Sequence, residues 1–204
     1  MNAFEQLVGM FLERKGYWVR SDFKVDLSKE EKRKIGRPSS PRWELDIVAY
    51  KPVKNEVLLV ECKSYLDSRG VTSSSFDGSN EKLARRYKLF MDERLRETVL
   101  KRLVQQLEEA GLCRPAPTVI LCLVAGRIAT EQDRRELAGE FNRAGWELWD
   151  DKWIRDTLVE IASSSYEDDV SSVVAKILLR KSKGPRIKAP VKGHGLELGL
   201  TTDN

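Results

Sequence analysis

Three ionisable residues stand where two strand-like segments should be buried. Asp46 interrupts the apolar run at residues 43–50, and Glu61 and Lys63 end the run at residues 56–63. Charges in a sheet core are costly unless they are paired or bind an ion. Two carboxylates and an ammonium group that meet at one point would suit a divalent cation, a water molecule and a phosphodiester. The pattern therefore predicts a nuclease site.

The alternation of side chains along a strand predicts which of these groups share a face. Glu61 and Lys63 lie on one face of their strand, together with two apolar residues, Val57 and Leu59. Glu44 and Asp46 likewise share a face of the other strand. The opposite face of that strand is then expected to carry Leu45, Ile47 and Ala49.

The short connection between the two strands sets the expected register. If residues 52–55 form a four-residue hairpin loop, residues 51 and 56 close it. Antiparallel pairing then places Asp46 opposite Glu61 and Glu44 opposite Lys63. A slip of one residue would send the charges to opposite faces, so the nuclease hypothesis depends on this register.

The residue types suit metal-assisted hydrolysis. Carboxylate oxygens are hard ligands for Mg²⁺, and Mn²⁺ can substitute. Asp46 and Glu61 would hold the ion with the main-chain carbonyl of Cys62 between them, and Glu44 is a candidate ligand for a second ion. The metal would polarise the scissile phosphate and lower the pKa of a bound water. Lys63 would orient that water and stabilise the charge that develops on the phosphate.

The two segments resemble a known signature. Glu44-Leu-Asp-Ile-Val-Ala followed by a strand that ends Glu61-Cys-Lys-Ser is similar to the PD-(D/E)XK motif of the restriction-endonuclease-like superfamily. The resemblance is greatest to type IV restriction enzymes and Holliday-junction resolvases. It implies an α/β fold with an αβββαβ core, a mixed central sheet flanked by helices, Mg²⁺-dependent phosphodiester hydrolysis and a DNA substrate. The proline of the family name is absent, because Leu45 precedes Asp46.

Glu5 is a further candidate for the site. An amphipathic first helix is predicted from apolar residues at helical spacing, and Glu5 lies at the edge of its apolar stripe. The resemblance implies that an acidic residue of the first helix leans into the metal site, and Glu5 matches by position. The same residue also forms a capping box with Asn2, which would explain it without any catalytic role. For the strand residues the corresponding alternative is a salt bridge between Asp46 and Lys63 with no metal.

Basic and amide side chains outside the strands are the candidate DNA contacts. Residues 28–42 are predicted to form a polar loop and residues 64–79 an irregular loop. Residues 80–110 are predicted to form a helical insertion that is broken near residues 91–92. Tyr87 and Phe90 stand among basic residues of that insertion, a mixture that suits nucleic acid. The candidates are Lys34, Arg37, Arg42, Ser64, Arg69, Arg85, Arg86, Gln105 and Gln106. Solvated loops and helix faces are the alternative for all of them.

The remaining elements complete the predicted domain of residues 1–163. The continuous apolar run at residues 118–125 predicts a strand covered on both faces. A helix at residues 130–144, a short strand at 146–149 and a helix at 153–161 follow, and this order is typical of an α/β sheet. Residues 164–183 are predicted to contain a C-terminal helix, and residues 184–204 a basic, flexible tail.

Composition narrows the function classes. The 204 residues include 36 basic and 32 acidic ones, so the net charge is only +4 and specific loops must attract DNA. The single histidine, His194, disfavours sites built on several imidazoles. Neither a signal peptide nor a transmembrane span is recognisable, and the three cysteines lack metal-site spacing. A cytoplasmic protein without a membrane partner is expected.

The sequence thus predicts a Mg²⁺-dependent DNA endonuclease. Two alternatives remain open: a DNA-binding or scaffold subunit that does not cleave, and an RNA-directed nuclease. Target choice would come from a homodimer, from the segment at residues 64–110, or from a target-recognition partner.

Overall fold

The structure, a computed structural model, describes residues 2–39 and 42–179. The predicted tail at residues 184–204, and His194 with it, lie outside this range. Five strands are present in the described part: β1 (Trp18–Val25), β2 (Trp43–Lys51), β3 (Glu56–Lys63), β4 (Thr118–Ala125) and β5 (Glu147–Trp149). The helices are α1 (Ala3–Arg14), α2 (Lys29–Lys34), α3 (Glu81–Ala84), α4 (Lys88–Met91), α5 (Glu93–Glu109), α6 (Glu131–Ala144), α7 (Asp151–Ser163) and α8 (Val170–Leu179).

The five strands form one mixed sheet in the order β1-β2-β3-β4-β5. The first three strands pair antiparallel, and β3, β4 and β5 pair parallel. Helix α1 packs against one face of the sheet and α5 and α6 against the other. The predicted α/β class with a helix-flanked mixed sheet is therefore confirmed. The central strands β3 and β4 are covered on both faces, which explains their almost uninterrupted apolar sequences.

The predicted register between β2 and β3 is confirmed for residues 47–51 and 56–60, whereas the predicted pairs Asp46–Glu61 and Glu44–Lys63 lie beyond the observed ladder. Lys51 pairs with Glu56, and the pairing continues without a slip to Ile47 and Val60. Residues 52–55 form the four-residue turn that the sequence predicts. Regular pairing ends one residue before Asp46 and Glu61, so these two residues stand at the end of the ladder.

The predicted faces of β2 are wrong on one side of Asp46. Ile47 and Ala49 both pack under α1, so they share a face as predicted. Leu45 packs on the opposite face of the sheet, with the residues that α5 covers. The alternation therefore inverts between Leu45 and Ile47. Glu44 loses the predicted common face with Asp46, and its side chain is exposed.

Strand β1 is also irregular beside this inversion. The pairing of β1 with β2 passes from Ser21–Ile47 directly to Phe23–Leu45. Asp22, which would face Asp46, has a positive φ of 49°. Aspartate is one of the few non-glycine residues that tolerates this conformation. A local distortion of both strands thus sets the orientation of Asp46.

Two predicted segments differ from the prediction in their helices. Residues 28–42 are not simply a loop, because they include α2, which begins with a capping box between Ser28 and Glu31. Residues 80–110 form three helices, with the expected break at Asp92 and a second one before Lys88. The apolar residues of α5 pack on the sheet. Tyr87 and Phe90 are buried in the same core, so they cannot stack on nucleic acid.

The C-terminal part of the described chain packs on α1. Phe11 of α1 contacts Ile161 and Ala162 of α7 and Ala175 of α8 in a small separate core. Across residues 2–39 and 42–179, every helix is too short or too polar to span a bilayer. The three cysteines are all free thiols, with Cys62 and Cys122 buried.

An ion pair that joins α1 to the start of α8 predicts an acid-sensitive contribution to stability. Arg14 lies 2.6 Å from Asp169. Burial disfavours the charged form of Asp169, but hydrogen bonds from Ser171, Ser172 and Arg14 outweigh burial and lower its pKa from 3.8 to about 2. The contribution should therefore be complete above pH 4 and be lost as the pH falls towards 2.

We expect Asp169→Asn to lower the free energy of unfolding by about 1–2 kcal/mol at neutral pH and by much less near pH 2. Urea unfolding at the two pH values measures the difference. Asp168→Asn is the matched control, because Asp168 is exposed and accepts a hydrogen bond only from the hydroxyl of Tyr166 among the described residues. An equal loss at both pH values would contradict the assignment.

Candidate active site

Asp46 is held at the end of the β2–β3 ladder by its own carboxylate. Its Oδ2 accepts a hydrogen bond of 2.8 Å from the main-chain N–H of Cys62. The Asp46 side chain thus accepts the hydrogen bond that a main-chain carbonyl of β2 would otherwise accept, directly beyond the last regular pair, Ile47 and Val60. This contact fixes Asp46 against the strand segment that carries Glu61 and Lys63.

Glu61 and Lys63 form a partly buried ion pair on one face of β3. Lys63 Nζ lies 2.5 Å from Glu61 Oε1, and both side chains are 22% exposed. Burial raises the pKa of the Glu61 carboxyl, Lys63 opposes that rise, and Asp46 adds to it. Burial alone would lower the pKa of the Lys63 ammonium, but the attraction of Glu61 outweighs it and the pKa is raised. The group of Asp46, Glu61 and Lys63 is called the acid–lysine cluster below.

Glu5 brings a further negative charge near Cys62, the residue between Glu61 and Lys63. Burial raises the pKa of the Cys62 thiol, and the charges of Asp46, Glu5 and Glu61 raise it further. Glu5 itself is 9% exposed and forms the predicted capping box with Asn2. The helix-capping role of Glu5 is confirmed, and its position beside Cys62 leaves the catalytic role as a prediction.

The carboxylates of Asp46 and Glu61 are the candidate ligands for a divalent cation. Among the described residues, no three His, Cys, Asp or Glu side chains are grouped in a way that could hold a metal ion. Mg²⁺ commonly takes only one or two carboxylates and completes its shell with waters and substrate phosphate oxygens. Asp46 and Glu61 each have one carboxylate oxygen that accepts no hydrogen bond from the described residues. The acid–lysine cluster therefore fits Mg²⁺ by its chemistry.

Several predicted DNA contacts are engaged with the protein itself. Arg42 forms an ion pair of 2.5 Å with Asp26, and Arg37 stacks over the ring of Trp43. Gln106 bonds the main chain at the end of β1 through Asp26 N and Lys24 O. The side-chain amide of Gln106 thus satisfies backbone groups at the end of β1, and its role in DNA binding stays a prediction.

The other predicted DNA contacts are placed differently. Lys34 is exposed at the end of α2, Ser64 is exposed directly after Lys63, and Gln105 is half-buried on α5. Arg85 forms an exposed ion pair with Glu81 within α3 and the residue after it. Arg69 and Arg86, distant in sequence, line one cleft next to Tyr87. The DNA-binding role of all these residues stays a prediction.

Gly126 supports the cluster and was missed in the sequence. Its N–H donates a hydrogen bond of 2.8 Å to the carbonyl of Lys63. A Cβ at this position would lie 2.2 Å from the carbonyl oxygen of Ser64. The only sequence signal is a glycine directly after a buried strand, a type of position where another backbone often approaches closely.

We expect Gly126→Ala to lower the free energy of unfolding by about 1–3 kcal/mol, because the end of β3 must move away. Gly139→Ala is the control: no neighbouring atom lies within 4 Å of its Cβ, and it lies within a helix. That control should instead stabilise the protein by about 0.5–1 kcal/mol. Thermal unfolding of both variants measures the contrast, and equal stabilities would contradict the close approach.

No protein-family model matches this chain, and neither does any curated protein or solved structure. The findings above define an α/β chain with a mixed sheet and a partly buried acid–lysine cluster at the end of two strands.

Proposed function

We propose that the chain is a metal-dependent nuclease that hydrolyses internal phosphodiester bonds of DNA. One observation carries this proposal: Asp46, anchored on Cys62 N, lies beside the partly buried Glu61–Lys63 pair. Burying two carboxylates and a lysine costs free energy, and a salt bridge rarely repays it. A function that needs these charges explains why they are gathered here.

The order of elements supports the same proposal. Helix α1, strands β1 to β3, helix α5 and strand β4 follow one another as an αβββαβ core requires, and β4 pairs parallel to β3. Helices α2, α3 and α4 are then additions to this core. With the resemblance to the PD-(D/E)XK motif, this order supports a relationship to restriction and junction-resolving nucleases.

Each residue of the cluster has a distinct role in the proposed reaction. Asp46, Glu61 and the main-chain carbonyl of Cys62 would hold Mg²⁺ or Mn²⁺. When bound, the cation would supply a polarised phosphate and a water of lowered pKa. The Lys63 ammonium would donate to a phosphate oxygen and stabilise the charge that develops there. Glu5 would complete the acidic wall from α1, and Glu44 remains a candidate only for a second ion.

Hydrolysis of several nucleic acids would test the proposal. Purified protein is incubated with plasmid DNA, linear DNA, a four-way junction or single-stranded RNA, each with Mg²⁺, with Mn²⁺ or with a chelator. We expect metal-dependent cleavage of DNA. Binding without cleavage under all conditions would indicate a scaffold subunit, and cleavage of RNA alone would indicate an RNA-directed nuclease. Sedimentation of the same samples shows whether the proposed homodimer forms.

A further inference from the structure

A cleft of about 370 Å³ opens next to the acid–lysine cluster. Tyr87 lies between the cleft and the acid–lysine cluster. It lines the cleft, and the centroid of its ring lies 6.0 Å from Lys63 Nζ. The chain enters the cleft directly after β3, through Tyr65 and the loop that follows. Anything bound in the cleft would therefore lie beside the proposed reaction centre.

The loop that forms the cleft is fixed to the rest of the sheet. Val71 pairs with Ile128 in an isolated bridge. A Cβ on Gly70, whose φ is +99°, would lie 2.8 Å from the carbonyl of Arg127, so this close approach requires glycine. The N–H and hydroxyl of Ser73 both donate to Asp133 of α6. These anchors give the cleft a defined shape before any ligand binds.

The lining of the cleft is rich in hydrogen-bond donors. Arg69 and Arg86 both line it, and neither lies within salt-bridge distance of a carboxylate among the described residues. The hydroxyls of Thr72, Ser74 and Ser75 form a contiguous group in its wall.

One carboxylate, that of Asp133, also lines the cleft. Both of its oxygens already accept hydrogen bonds, Oδ1 from Ser73 and Oδ2 from the hydroxyl of Thr130. The lining therefore holds two guanidinium groups against one carboxylate, which leaves it a net positive charge. Such a surface suits an oxyanion, and guanidinium groups in particular suit phosphate.

We propose that this arginine cleft binds a phosphomonoester at the end of a nucleic acid strand, such as the end exposed at a nick or break. A phosphomonoester carries a charge of about −1.5 to −2 at neutral pH, whereas each internal phosphodiester carries a single charge. Two guanidinium groups in a half-enclosed cleft match the more highly charged group. The inference deepens the proposed function and rests on it, because the nuclease would then cut near a phosphorylated end.

Binding is measured in the presence of a chelator, so that cleavage plays no part. Single-stranded DNA of one sequence carries a 5′-phosphate, a 3′-phosphate or hydroxyls at both ends, and its affinity for the full chain is read by fluorescence anisotropy. We expect one phosphorylated form to bind about tenfold more tightly than the hydroxyl form. The end that gains affinity identifies the strand polarity.

Three arginine variants of equal charge test the cleft itself. Arg69→Ala and Arg86→Ala should each abolish the preference for the phosphorylated strand. Arg143→Ala should retain it, because Arg143 is exposed in the last turn of α6 and does not line the cleft. Equal affinities of the wild type for all three DNAs, or equal losses in all three variants, would overturn the inference.

A second measurement separates this inference from the proposed function. Preferential binding of a phosphorylated strand without any cleavage in Mg²⁺ would uphold the cleft and refute the nuclease. Cleavage that is indifferent to the end group and to Arg69→Ala would uphold the nuclease and refute the cleft.

Discussion

Replacing Asp46 by asparagine is expected to lower metal-dependent DNA cleavage by at least about a thousandfold, because several kilocalories of transition-state stabilisation depend on the metal. Asparagine removes the charge that a cation needs. Its side-chain carbonyl can still accept the hydrogen bond that Cys62 N donates to Asp46 Oδ2 at 2.8 Å. The end of the β2–β3 ladder should therefore remain folded, and the loss should be one of chemistry.

Initial cleavage rates of plasmid DNA under saturating Mg²⁺ measure this effect. Asp156→Asn is the matched control, since this substitution makes the same change of charge at an exposed position of α7. Thermal unfolding of both variants verifies that they are folded. Cleavage by the Asp46→Asn protein at a rate near that of wild type would refute a role for this carboxylate.

Replacing Lys63 by methionine should separate cation binding from hydrolysis. Methionine fills a similar space but cannot donate to a phosphate oxygen, so cleavage should fall by about a hundredfold or more. Glu61 loses its ion-pair partner at 2.5 Å, and its carboxylate becomes fully available to a cation. The affinity for Mn²⁺ should therefore be retained or increased while cleavage is lost.

Calorimetric titration with Mn²⁺ and a cleavage assay on the same preparation test both halves of this expectation. Lys101→Met is the control, because Lys101 is exposed on α5. A parallel loss of Mn²⁺ binding and cleavage in Lys63→Met would mean that the lysine supports the structure of the cluster and has no separate catalytic role.

Much of the central sheet follows from local rules. The register of β2 and β3 was predictable because a four-residue turn at residues 52–55 leaves a single pairing that keeps the apolar faces aligned. The buried strand β4 was predictable because its apolar run is too short for a helix of ordinary length. Helix α2 was missed although Ser28 and Glu31 carry its capping signal, since a polar segment without an apolar stripe reads as a loop.

The inversion of faces at Asp46 could not be predicted from alternation. It depends on a positive φ at Asp22 in the neighbouring strand, which aspartate tolerates without demanding it. As a result, the pairing was predicted correctly only as far as Ile47 and Val60, and the predicted common face of Leu45 with Ile47 and Ala49 was wrong.

The arginine cleft also lies beyond sequence reasoning. Its walls come from the loop after β3, from α3 and from α6, and only the folded chain brings Arg69, Arg86 and Asp133 together. Gln106 shows the converse case. Its side chain bonds the main chain after β1, a partner that no local pattern of α5 reveals.

The central claim is that Asp46 and Glu61 hold one divalent cation between them. Titration of the full chain with Mn²⁺, followed by electron paramagnetic resonance of the free ion, measures this directly. We predict saturable binding in the wild type, its loss in Glu61→Gln, and its retention in Glu97→Gln, which alters an exposed residue of α5. Saturable binding that survives in Glu61→Gln, or a wild type that binds no Mn²⁺, would contradict the account.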